Sequence, residues 1–300
     1  MSTATRMPVA QARLTHARGG ADAKAGYRPS YISTIVLLVG ALYCLLPVIW
    51  VLIASSKDRA ELFSTNTFMP GLHLWDNIVA LTQFSGGVYW VWMLNTALYA
   101  GLGGLLSAAV SAISGYALAK YQFRGKATIF TILLAGVLVP GVILAIPQYF
   151  LFAQFNLTNT YWAVLLPQII SPYGIYLARI YAGASVPNEI IEAARTDGAG
   201  DFYIFQRIAI PMMVPGLVTV FLFQFVGIWN NFMLPYIMLG DNKLFPLTVG
   251  LNSLLNQGAS APALYTLVIT GSLLSIIPLI ALFLTLQRYW RVDLGAGAVK

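Results

Sequence analysis

The chain has 300 residues, 9% of them charged and 58% hydrophobic, whereas a soluble domain carries about 25% charged side chains. That composition excludes an ordinary water-soluble globular domain and makes lipid the solvent. Its formal net charge is +7, yet the charges are segregated: no Asp, Glu, Lys or Arg lies between Lys126 and Arg179, between Arg207 and Asp241, or between Lys243 and Arg288, the pattern a bilayer imposes.

Residues 1–30 mix Arg, Ala and Gly with no short apolar core, and the apolar stretch after them is too long for a cleaved signal. They read as an uncleaved cytoplasmic tail. Crossing a hydrocarbon core of ~30 Å takes about 20 apolar residues. Length and polar punctuation then divide residues 31–291, read as one transmembrane domain, into six spans near Tyr31–Ser55, Trp90–Leu118, Ala127–Phe150, Tyr161–Tyr181, Ile210–Met238 and Leu264–Tyr289. The fold class is all-α and polytopic. Asn156–Thr160 supplies the hairpin inside the longest charge-free run. Cys44 is the single cysteine, so no intrachain disulfide can form. His16 in the tail and His73 in an outer loop stand too isolated for a metal site.

Six spans put both termini on one side, and Lys and Arg concentrate in the cytoplasm. Of 17 basic residues only Lys57, Arg59 and Lys243 fall in the outer segments, leaving 14 on the side of the termini. Both termini are therefore expected in the cytoplasm of a bacterial cell. The positive charge follows from this sidedness and from anionic inner-leaflet lipid, so it calls for no nucleic-acid partner.

Between the fourth and fifth spans lies the cytoplasmic stretch 185–207, the most informative of the chain. Ser185 is a candidate N-cap, Pro187 suits a first helical turn, Glu189 favours the positive end of the helix dipole, and Gly198 suits a left-handed stop. The result is a helix of about ten residues. Asp201 can cap a second helix, with Phe202, Phe205 and Ile208 on roughly one face. A helical hairpin lying on the membrane would be rich in Lys and Arg. This one carries Glu189, Glu192, Asp197 and Asp201 against Arg195 and Arg207, so anionic lipid would repel it. Docking into another protein fits better: Ala193 and Ala194 allow close backbone approach, and Glu192 can pair with a partner's Arg.

Glu192-Ala193-Ala194, three residues, Gly198, nine residues, Ile208, one residue and Ile210-Pro211 resemble the EAA signature of ATP-binding-cassette importer permeases; only Ile210 departs, where the family usually has Leu. Further segments resemble the carbohydrate-uptake branch, specifically its second, maltose-type permease subunit. They are Phe68-Met69-Pro70, Trp75-Asp76-Asn77, Gly115-Tyr116-Ala117-Leu118-Ala119-Lys120 leading to Phe123-Arg124-Gly125, Val139-Pro140-Gly141, Asn159-Thr160-Tyr161-Trp162-Ala163 and Trp229-Asn230-Asn231-Phe232.

The resemblance implies a type I importer transmembrane fold and a coupling helix carrying Glu192, Ala193, Ala194, Asp197 and Gly198, seated in a cleft of a cytoplasmic ATPase. It also implies a second permease subunit, a dimer of ATP-binding subunits and an extracytoplasmic solute-binding protein that meets the outer segments, about Lys57–Tyr89 and Gly240–Pro262. The tail 292–300 ends in Gly295-Ala296-Gly297-Ala298-Val299-Lys300, similar to a family tail in which Gly297, Ala298, Val299 and Lys300 would reach the ATPase. With little apolar bulk it is otherwise a frayed terminus.

For the solute path, Gln224, Trp229, Asn230 and Asn231 in the fifth span are candidates, with Gln148, Gln168 and Tyr173 as similar groups. Neutral amides and an indole suit sugar hydroxyls and flat C–H faces. The same groups also serve as clasps between helices or anchors at the interface. Asn230, 15 residues beyond Pro215, would lie about 22 Å further along a continuous helix, in the outer half of the membrane.

The resulting reading is a non-catalytic permease for a mono- or oligosaccharide. No ATP or Mg would bind to this chain, because no GxxxxGK[ST] loop is present and Gly125-Lys126 is followed by Ala127. Two alternatives are another solute class in the same superfamily and an ion-coupled secondary carrier. Such carriers place Asp, Glu, Lys or His inside the spans to bind or relay the ion, and none of these four is found there. A membrane enzyme would need a nucleophile or a metal cluster. The coupling-loop carboxylates have no His or Cys companions and no Ca²⁺-loop pattern, so no catalytic or metal role is assigned.

Overall fold

The computed structural model describes residues 31–258 and 260–296. The predicted tail 1–30 lies outside them, as do Gly297, Ala298, Val299 and Lys300. Among the described residues all regular structure is helical. In chain order the α-helices are α1 Tyr31–Ser55, α2 Arg59–Ser64, α3 Leu74–Gln83, α4 Val88–Lys120, α5 Lys126–Leu138, α6 Gly141–Gln154, α7 Tyr161–Ile169, α8 Pro172–Ser185, α9 Asn188–Thr196, α10 Asp201–Ile204, α11 Ile210–Trp229, α12 Met233–Met238, α13 Leu247–Gln257 and α14 Ala263–Ala296. Packing divides the chain inside α1, between Leu45 and Leu46, and the part from Leu46 onward contains the end of α1 and all of α2 to α14.

Among the described residues five stretches are long and apolar enough to cross a membrane, and α5 with α6 makes a sixth if the bent pair counts as one span. The first span has the predicted bounds. The third is not the continuous helix 127–150: α5 and α6 meet at 104°. Pro140 has no N–H to donate, and Val139 before it is extended at φ −79°, ψ 118°, as residues preceding proline prefer. The fourth is interrupted for the same reason before Pro172. There Ser171 is extended, and its hydroxyl accepts from the Gly174 N–H at 3.0 Å, capping α8. The fifth stops being helical at Trp229, and α12 is a separate short helix, so the continuous run to Met238 is also corrected. At the other end, α14 runs on through Ala296, into the stretch expected to be tail.

Helix α4 is central and packs against α7, α8, α11 and α13. Its approach to α8 is close: a Cβ added at Gly115 would stand 2.6 Å from the Ala178 Cβ and from the Arg179 backbone nitrogen. Small residues let membrane helices meet at backbone distance, where dispersion rather than the hydrophobic effect drives association. The polar residues near the N-terminal end of α4 fasten the segment 240–247. The Trp92 indole N–H donates to the Asn242 Oδ1 at 2.8 Å and the Asn242 carbonyl at 3.1 Å. The Asn95 amide donates to the carbonyls of Lys243 (2.8 Å) and Phe245 (3.1 Å), and the Tyr99 hydroxyl to that of Leu244 (2.9 Å). The Thr96 hydroxyl oxygen accepts from the Leu247 N–H at 2.7 Å. Asn159, itself left-handed at φ 56°, accepts from the N–H groups of Gly240 and Asp241.

Candidate functional site

The stretch 185–207 folds as predicted in outline and differs in its caps. α9 starts at Asn188 with Pro187 at the N-cap, because α8 runs through Ser185 and the Ser185 hydroxyl donates to the Tyr181 carbonyl at 2.6 Å instead of capping forward. At the other end Gly198 has φ +84°. The Ala199 N–H donates to the Ala194 carbonyl at 2.9 Å and the Gly198 N–H to the Arg195 carbonyl at 3.0 Å, the paired bonds of a Schellman stop. Asp201 is the first residue of α10 rather than its cap. Its carboxylate accepts from Arg195 Nη2 at 2.9 Å and Nε at 3.2 Å, bracing the turn from outside. Asp201 also raises the affinity of the Arg195 guanidinium for its proton, first through the hydrogen bond and then through charge. Burial, then Asp201, pushes the nearby Tyr121 phenol up, against an opposing pull from Arg195.

The predicted Phe202, Phe205 and Ile208 face does not form as a unit. Residues 205–209 make a π-helical turn, which resets the phase, so Ile204 and Ala209 are buried while Phe202 is 76% exposed. The inner face of the hairpin, Ile191, Ile204 and Ala209, packs with Tyr116 of α4, Ala182 of α8 and Met213 of α11. Lys120 at the end of α4 donates to the Asn188 side chain at 3.1 Å. The outer face presents Glu192, Ala193, Asp197 and Gly198 to solvent. Beside it lies a groove of about 570 Å³ lined by Ala194, Asp197, Gly198, Tyr203 and Ile208.

Within the spans, a cavity of about 340 Å³ is lined by Gly141, Gln148, Pro167, Gln168, Asn231 and apolar neighbours. Part of its lining lies beside helix interruptions: Gly141 and Val142 at the α5–α6 bend, and Asn231 and Met233 at the gap between α11 and α12. Backbone freed from helical bonding persists at membrane depth where it lines a cavity. Of the four path candidates from the fifth span, Asn231 alone is among its lining residues. The Gln224 amide donates to the Ser171 hydroxyl at 2.6 Å. Trp229 is 4% exposed and stacks on Phe225 at 5.4 Å. The Asn230 amide returns to the Val226 carbonyl of its own helix at 2.9 Å, and Tyr173 meets Phe223 edge to face.

The segment between α1 and α4 also holds a grouping that sequence separation concealed. The Gly71 N–H donates to the Ser56 hydroxyl and the His73 N–H to the Ser56 carbonyl. This fold-back brings His73 Nε2 to 4.0 Å from both Asp58 and Glu61, and Nδ1 to 3.4 Å from Asp76. His73 is therefore not isolated, contrary to the expectation from sequence.

Residues 102–291 match the family model described as the binding-protein-dependent transport system inner membrane component. An arabinooligosaccharide transport system permease protein of Halalkalibacterium halodurans is 34% identical over 274 residues, covering 90% of this chain and 96% of that protein. A diacetylchitobiose uptake system permease protein of Streptomyces coelicolor is 30% identical over 233 residues, covering 77% and 76%. A solved bacterial ABC transporter involved in the import of the acidic polysaccharide alginate has a chain that superposes with a TM-score of 0.73 at 23% identity, covering 86% of this chain and 95% of that one.

Proposed function

The chain belongs to the family of inner-membrane components of binding-protein-dependent transport systems, and from that premise we propose that the α9 hairpin is the part through which a separate ATPase drives it. It is a permease subunit of a sugar importer. The observation that carries the coupling reading is the two-faced hairpin. Its inner face is packed on the ends of α4, α8 and α11, and its outer face offers Glu192, Ala193, Asp197 and Gly198. A displacement of α9 is thereby passed to three spans at once, because packed interiors transmit strain rather than absorb it.

In this reading ATP and Mg bind in a dimer of cytoplasmic ATPase subunits, and hydrolysis occurs there. A second permease subunit completes the path, a solute-binding protein delivers the sugar at the outer end, and both termini are cytoplasmic. The solute is an oligosaccharide, passing the cavity at Gln148, Gln168 and Asn231. Neutral amides exchange hydrogen bonds with hydroxyl groups without the cost of an unpaired charge at membrane depth.

Glu192→Lys tests the coupling role by reversing charge on the exposed face, away from the packed one. In the assembled importer, uptake and sugar-stimulated ATP hydrolysis are expected to be lost while membrane insertion is kept. Undiminished uptake would remove the hairpin from the coupling mechanism.

A further inference from the structure

At the end of the spans that carries α9, a second cavity of about 550 Å³ opens between the start of α5 and α8, lined by Gly125, Lys126, Thr128, Phe130 and Arg179 among others. Its lining includes two basic side chains and no acidic one. Arg179 also borders an adjoining recess of about 340 Å³ with Ala119, Ile180 and Gly183.

Arg179 is partly buried, and its guanidinium lies 3.6 Å from the centroid of the Phe130 ring. Phe130 in turn stacks on Tyr176 at 6.3 Å, so the guanidinium plane is held by a built aromatic support. Among the described residues the Arg179 side chain makes no ion pair and no hydrogen bond. Lys126 spends one proton on the Tyr121 carbonyl at 2.9 Å, leaving two for a ligand. Ala127 and Thr128 also line the cavity. They sit in the first turn of α5, whose N–H groups lack helical acceptors, and Gly125 before them supplies no side-chain cap.

Lys126 marks the point where the apolar run of α5 begins, so the cavity lies at the boundary between headgroups and hydrocarbon. From it the exposed Ile129 and Ile132 run along α5, and Ile180 lies on α8. A partly desolvated guanidinium with no protein acceptor is matched by a phosphate, which it can grip through two parallel N–H donors.

We propose that this cavity binds the phosphate headgroup of an anionic phospholipid, Arg179 gripping the phosphate and Lys126 adding charge, with acyl chains laid along the isoleucines. The site is separate from the coupling face: it uses neither Glu192 nor the groove at Gly198. Its occupation would fix the start of α5 against α8, at the opposite end of α5 from the 104° bend.

The test is native mass spectrometry of the full chain released from micelles containing phosphatidylglycerol or phosphatidylcholine, with and without inorganic phosphate. The wild type is expected to retain phosphatidylglycerol preferentially. Arg179→Gln and Lys126→Gln are each expected to weaken that retention about fivefold, and Arg179→Lys, which keeps the charge but not the two-donor fork, to fall between Arg179→Gln and wild type. Displacement of the lipid by millimolar inorganic phosphate would assign the site to free phosphate and overturn the lipid source. Equal retention in Lys126→Gln, Arg179→Gln and wild type, all eluting as single species, would overturn the site itself. Loss of the lipid on addition of partner subunits would show that a protein carboxylate fills the cavity, which also overturns the proposal. None of these readouts depends on transport, so they stand or fall apart from the coupling role of α9.

Discussion

Gly115 offers a test of how closely the central helices meet. Replacing it with Ala adds one methyl group at a point 2.6 Å from the Ala178 Cβ and the Arg179 nitrogen. Ordinary carbon contacts lie at about 3.5–4.0 Å, so α4 and α8 must separate by roughly 1 Å along this seam. The obstructing atoms include backbone, which cannot rotate away as a long side chain can. Overpacking of this kind costs about 1–3 kcal/mol, set against a gain of up to ~1 kcal/mol because Ala is the better helix former. Gly101 is the matched control: it lies in the same helix, and a Cβ there meets nothing within 4 Å. Gly101→Ala should therefore stabilise by some tenths of a kcal/mol to ~1 kcal/mol, the opposite sign. Thermal unfolding of the purified chain in detergent, followed by tryptophan fluorescence, reads both. A Gly115→Ala protein as stable as the Gly101→Ala protein would show that the α4–α8 contact is looser than described and would refute the reasoning.

Gly198→Val places a β-branched residue at φ +84° in open space; with no clash to relieve, the whole cost is backbone strain of about 1–2 kcal/mol. It should lower sugar-stimulated ATP hydrolysis in the assembled importer, with Gly198→Asn closer to wild type. Trp229→Ala removes a side chain only 4% exposed and should cost about 3–5 kcal/mol of stability, visible as a lower yield of folded protein before any change in uptake. Gln148→Leu and Asn231→Leu should raise the KM for uptake more than they lower the yield, whereas Asn230→Ala should change neither by more than about twofold, since its amide serves its own helix. An Asn230→Ala effect as large as that of Asn231→Leu would move the path away from the cavity at Gly141.

The sequence located the spans because charge-free length is a property of composition, and α1, which no charged residue interrupts, came out with its observed ends. The interruptions were harder to read. Pro47, Pro147, Pro215 and Pro278 stay inside helices, while Pro140 and Pro172 begin new ones; a proline marks a missing donor, and the surrounding packing decides whether the helix bends or breaks. Gly198 was legible because φ > 0 is a local demand that glycine answers. The cap at Ser185 was misplaced because helix ends are set by competition: the hydroxyl found an acceptor in the turn behind it. Asn231 was separable from Asn230 only once the end of α11 was known, since one residue decides which amide lines the cavity. His73 and Asp58 are neighbours through a fold-back at Ser56 that no periodicity records.

The fastening of residues 240–247 to α4 has a consequence for how such a protein diversifies. Trp92, Asn95 and Tyr99 grip mostly carbonyl oxygens, at Asn242, Lys243, Leu244 and Phe245, and a carbonyl is common to all residues. Lys243 is exposed and Leu244 half-buried, and the hold on their backbone does not depend on what side chains they carry. The frame is set by α4, so the exposed side chains of this segment can be exchanged without its being refolded.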